Sequence, residues 1–160
     1  MLWILLTAMV CVPMTDSGHV QIPIKPLMTQ EKRVEDIGDN TQQLFEMIIS
    51  AEGHPAWDLE GYLLLAQAVK NQLVSGHYGE TYREVLIRPY NFSVYASGRY
   101  KQVALDDNAV RAVEMVLSGS EYMNYGQLYF CTESHLARNP NGLHGRSNEV
   151  ARSKNVVFFN

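Results

Sequence analysis

Apolar residues recur at three- and four-residue steps through the middle of the chain. In "TQQLFEMIISAEGHP", Phe45, Ile48 and Ile49 lie seven, four and three residues before Glu52, so all four share one helix face. Asn40 with Gln43 has the form of a capping box, which starts this helix near Asn40 or Thr41. Gly53 and Pro55 stop it after Glu52. A second helix runs from Asp58 to about Ser75, with Gly76 as its stop. Leu59, Tyr62, Leu63, Ala66, Val69 and Leu73 fall at helical spacing, and Leu64, Leu65 and Ala68 widen the arc. A helix apolar over most of its circumference is central and buried. "TYREVLIRP" is a short third helix ended by Pro89. "DDNAVRAVEMVLSG" is a fourth, capped by Asp106 or Asp107 and stopped by Gly119. Two short strands follow, "QLYF" at 127–130 and "VVFF" at 156–159, with the loop-like "TESHLARNPNGLHGRSNEV" between them. Helices first and then a small sheet predict an α+β fold.

The first stretch, "MLWILLTAMVCVPM", is too short to span a bilayer comfortably and has the length of the apolar region of a secretory signal. Residues 1–18 are therefore expected to be a signal peptide or anchor, 19–39 a polar linker or arm, and 40–160 a single domain. The composition, 46% hydrophobic and 19% charged, suits one globular domain. A net charge of -4 without a basic patch argues against nucleic acid as a partner. The five histidines are scattered, with neither HExxH nor Cys/His pairs at zinc spacing, so no metal or other cofactor is expected. Cys11 lies in the expected signal, which leaves Cys131 unpaired. Cys131 with His135 or His144 would be the material for a cysteine nucleophile, although a structural cysteine explains it better.

Glu52 is the residue out of place. An apolar helix face and the negative end of a helix dipole both disfavour its charge and raise its pKa. A carboxylic acid that keeps its proton near neutral pH is what general acid catalysis needs. The competing reading is an exposed glutamate that caps the following turn. Glycosidases commonly pair two carboxylates. Here Asp58, Asp106 and Asp107 are explained as helix caps, and Glu60 as a first-turn acid, so no partner stands out. The tract "RPYNFSVYASGRY" sets Tyr90, Phe92, Tyr95 and Tyr100 among polar neighbours. Rings so placed either stack on sugars or fill the core. Tyr122, Tyr125 and Tyr129 pose the same choice, and His54 is either a neighbour of a site at Glu52 or a surface loop residue.

The segments "IISAEGHPAWDLEGYLLLAQAVKNQL", "VLIRPYNFSVYASGRY", "NAVRAVEMVLSG", "LYF" and "NVVFF", in that order over residues 44–159, resemble the SleB-type cell-wall hydrolases, a family that includes the spore-cortex-lytic enzymes. The most specific elements are Ala51-Glu52, Glu60-Gly61 and Phe92-Ser93. The resemblance implies a lysozyme-like α+β domain that cleaves peptidoglycan glycan strands between N-acetylmuramic acid and N-acetylglucosamine as a lytic transglycosylase. It implies Glu52 as the single acid/base, with Phe92, Ser93 and Tyr129 in the glycan groove. Tyr95 and Tyr100 join them as candidate sugar contacts from the aromatic tract. An exported, wall-associated monomer follows, with membrane association through the N-terminal segment. The alternatives are a degenerate peptidoglycan-binding module and a muramidase that uses water. The chain departs from the family pattern at Tyr62, where Gln is common, at Gln72, where Arg is common, and at Asn91, where Gln is common.

Overall fold

Six α-helices, one 3-10 turn and three strands make up the computed structural model, which describes residues 39–54, 56–142 and 147–160. The expected signal or anchor and nearly all of the expected arm lie outside the described residues, as do Pro55 and His144. Helix α1 spans Asp39–Glu52. It starts slightly before the expected cap, so Asn40 lies within the helix rather than ahead of it. Phe45, Ile48 and Ile49 are fully buried, as their common face requires.

Helix α2, Leu59–Ser75, is the centre of the molecule, and every residue from Gly61 to Lys70 is buried. Asp58 caps it by accepting the Gly61 N–H at 3.1 Å, and Gly76 closes it at φ 70°. Around it pack α1, α3 (Tyr82–Ile87) and α5 (Asp107–Leu117). Thr81 caps α3, and Asp106 caps α5 by accepting from Asn108 and Ala109. Arg88 ends α3 in an extended conformation, ψ 132°, as the residue before a proline must. Between α3 and α5 lie the short α4, Ser93–Ala96, and a 3-10 turn, Arg99–Lys101.

The sheet is antiparallel, in the order β1-β3-β2, with β1 Tyr129–Thr132, β2 Glu149–Ser153 and β3 Val156–Phe159. All four residues of the central β3 are buried, and its bounds are those expected from "VVFF". The strand expected at 127–130 is shifted toward the C-terminus. Gln127 is fully buried and serves the preceding turn, donating to the Leu64 and Met123 carbonyls at 2.9 and 3.0 Å and accepting from Tyr125 N–H at 2.8 Å. The segment read as a loop also holds structure. Thr132 caps a helix α6, Glu133–Arg138, and β2 pairs with the free edge of β3. The α+β class with a small antiparallel sheet is the class expected from the order of elements. No described helix is long and apolar enough to cross a membrane.

Candidate active site

Glu52 is the last residue of α1 and is half-buried. The chain leaves the helix there because Gly53 permits a close approach. A Cβ at Gly53 would come within 2.2 Å of the Tyr62 ring. Tyr62 is itself one of the departures from the family pattern. Its hydroxyl bonds Asp106, and burial together with that carboxylate pushes its pKa up to about 12. Gly61 serves a similar purpose, since a Cβ there would meet the Trp57 ring at 2.9 Å. Gly61 is thus explained by the packing of Trp57, and of Ser153 Oγ at 2.9 Å from that same Cβ, on the first turn of α2.

The carboxylate of Glu52 lies between two helix ends of opposite sign. Its own helix presents carbonyls, which oppose a negative charge. The first turn of α4 presents donors. Val94 N–H donates to Glu52 Oε1 at 3.3 Å, and Ser93 Oγ–H donates to the same oxygen at a long 3.5 Å. The N-cap of α4 is Phe92, which has no side-chain acceptor to offer, so Glu52 takes that part from across the fold. Arg99 braces the end of α1 by donating to the Ala51 carbonyl at 2.7 Å, and its charge favours ionised Glu52. Burial outweighs these donors and the cation, and holds the Glu52 pKa above its ordinary 4.5.

Glu52 opens into a cavity of about 600 Å³, a volume in the usual range of ligand sites. Its wall brings together Glu52 from α1, Trp57 and Gln72 from beside and within α2, the turn Arg88–Asn91, Ser93, and Tyr129 with its neighbours on β1. Two of the five expected contact residues, Ser93 and Tyr129, line it. Tyr129 packs edge-on against Tyr78 at 6.2 Å, and Tyr78 also lines the cavity. Phe92 is not on the wall. Its ring is buried in the core, 6.2 Å from Phe130, and its backbone positions Ser93. Tyr95 and Tyr100 stack on each other at 5.3 Å, outside the cavity lining and partly packed against the core. Tyr122 and Tyr125 are half-exposed, and the Tyr122 hydroxyl donates to Glu60 at 2.8 Å. His54 is an exposed turn residue whose Nδ1 accepts from the Ala56 N–H.

Glu52 is the one carboxylate among the described residues that line the cavity. Cys131 and His135 are also on the wall, but burial pushes the Cys131 thiol up, away from the thiolate that a nucleophile requires.

Sequence reasoning missed the polar frame of the cavity. Gln72 and Asn91, both departures from the family pattern, face each other as an amide pair. Asn91 Nδ2 donates to Gln72 Oε1 at 2.8 Å, and Gln72 Nε2 donates back to Asn91 Oδ1 at 3.2 Å. Gln72 also reaches the Leu128 carbonyl at 2.7 Å, and Asn91 the Val85 carbonyl at 2.9 Å. This pair ties α2 to the wall turn and to the approach to β1. Polar Gln72 near the end of a largely buried helix, and Asn91 beside the aromatic tract, were the available signals.

The model of the cell wall hydrolase family matches residues 58–159. The match begins after Glu52 and does not include it. Two solved structures share the fold. The catalytic domain of the Bacillus cereus SleB protein has a TM-score of 0.64 at 16% identity, covering 91% of this chain and 100% of that one. The catalytic domain of the germination-specific lytic transglycosylase SleB from Bacillus anthracis has a TM-score of 0.65 at 16% identity, covering 78% of this chain and 98% of that one. These likenesses show the lysozyme-like α+β fold that the sequence resemblance implied. No protein with a curated description matches the chain.

Proposed function

The chain belongs to the cell wall hydrolase family, and on that footing we propose that it cleaves the glycan strands of peptidoglycan between N-acetylmuramic acid and N-acetylglucosamine, as a lytic transglycosylase with Glu52 as its acid/base. The observation that carries this reading is a carboxylate whose pKa burial raises, alone among the described residues that line a ligand-sized cavity. Protonated Glu52 gives its proton to the glycosidic oxygen as the bond from C1 breaks, and the N-acetylglucosamine leaves with a free hydroxyl. The carboxylate so formed takes the proton from the 6-hydroxyl of the muramic acid. That oxygen closes on C1, and a 1,6-anhydro end results. No water is consumed, and Glu52 regains its proton. Because the substrate supplies the nucleophile, a single carboxylate suffices, whereas an enzyme that activates water uses a second.

Ser93 and the Val94 N–H would steady the ionised form between the two proton transfers. Tyr78 and Tyr129 offer ring faces and edges to the sugars. In this reading residues 40–160 are the catalytic domain, acting as a monomer outside the membrane, and residues 1–39 serve export or attachment.

Digestion of purified peptidoglycan, with products separated and weighed, tests the proposal. The expected muropeptides are one water lighter than their hydrated counterparts and carry no reducing end. Hydrated ends throughout would identify a water-using muramidase. Intact glycan with retained binding would identify a module that grips without cutting.

A further inference from the structure

Three non-glycine residues among those described have a left-handed backbone: Tyr90 at φ 66°, Met123 at 60° and Lys154 at 51°. Lys154 lies in the two-residue turn between β2 and β3, where that conformation is common. Met123 packs partly against the core. Tyr90 has neither excuse. Its ring stands wholly in solvent, at 101% relative exposure, so no packing offsets the strain.

The surrounding structure enforces this conformation. The Asn91 N–H donates to the Arg88 carbonyl at 3.2 Å, closing a turn with Pro89 second and Tyr90 third. That is the form of a type II turn, whose third position favours glycine. Both ends of the turn are fixed. Arg88 donates to the His77 carbonyl at 2.8 Å and lies over the Tyr78 ring at 5.4 Å. Asn91 is held by the Gln72 amide and the Val85 carbonyl. A bulky side chain is thus retained where glycine would fit more easily, on a residue that borders the same cavity as Glu52.

Strained residues that their surroundings over-determine cluster at functional sites. We infer that Tyr90 is a stacking platform for one pyranose ring of the bound glycan, displayed at the mouth of the Glu52 cavity by a turn that forces the ring into solvent. The inference rests on the glycan-cleaving reading above. An exposed aromatic face suits the apolar C–H face of a pyranose, and a rigid turn presents it without further ordering on binding. The phenolic hydroxyl has no part in such stacking.

The test uses the full chain with Glu52→Gln, so that binding is read without turnover, and peptide-free glycan strands as the probe. Adding Tyr90→Gly weakens binding about tenfold, the loss of one stacking contact. The same change raises the melting temperature by about 3 °C, because glycine relieves the turn. Tyr90→Phe leaves both unchanged. Undiminished binding by the Tyr90→Gly protein overturns the platform, and a lower melting temperature overturns the strain argument, while the glycan-cleaving reading survives either result. Failure of the Glu52→Gln parent to bind the strands overturns both.

Discussion

Glu52→Gln abolishes release of muropeptides from purified peptidoglycan, lowering the rate by about a thousandfold or more. The size of the loss follows from the double duty of the side chain. In the proposed reaction it gives a proton in the first half and takes one in the second, and no other carboxylate lines the cavity among the described residues to stand in. The variant nonetheless folds, because Gln keeps the shape of Glu and an oxygen for the Val94 N–H. It is also more stable than the wild type at pH 7. The folded-state pKa of Glu52 lies above the ordinary 4.5. Its contribution is therefore fully present below pH 4.5 and is lost as pH rises through the folded-state pKa. Denaturation midpoints of the two proteins should be closest below pH 4.5, separate as pH rises, and hold a constant gap once the wild type is ionised. A wild type that is the more stable at pH 7 would show that burial does not dominate at this position.

Gln72→Leu has the largest expected effect on stability away from the acid. Gln72 is almost fully buried and donates to both Asn91 Oδ1 and the Leu128 carbonyl. Leucine fills the space but leaves those two acceptors without a donor, at a cost of about 3 kcal/mol. The melting temperature should fall by roughly 10 °C. Because the lost bonds hold the turn and the approach to β1, the cavity wall loosens, and KM for glycan rises more than kcat falls. The double variant Gln72→Leu with Asn91→Leu should cost less than the sum of the single changes, since each removes a partner the other leaves stranded. An unchanged denaturation midpoint for Gln72→Leu would mean that the amide pair contributes nothing.

Helices α1, α2, α3 and α5 were legible because their signals are local, whereas the short α4 and α6 were not. Phe45, Ile48, Ile49 and Glu52 declare one face within two turns, and Asp58, Thr81 and Asp106 each cap the helix that follows them directly. Strand β2 was not legible. "EVARS" is an edge strand with little apolar alternation, and its identity comes from pairing with β3. Phe92 shows the limit at the site itself. The resemblance put it in the groove, but at the start of α4 neighbouring side chains part, Phe92 to the core and Ser93 to the cavity. Composition could not separate these two fates, nor tell that Tyr95 and Tyr100 would stack on each other instead. The unusual setting of Glu52 was legible because two local disadvantages, an apolar face and a helix C-terminus, coincided on it. Its donors were not, since Ser93 and Val94 lie 41 and 42 residues away in sequence.

The decisive measurement is titration of the Glu52 side-chain carboxyl by carbon-13 NMR, beside the pH profile of glycan cleavage. The expected midpoint lies above 4.5 and coincides with the alkaline limb of activity, because the proposed cleavage begins from the protonated acid. A midpoint at or below 4.5, or activity that persists unchanged after the carboxyl has ionised, would contradict it.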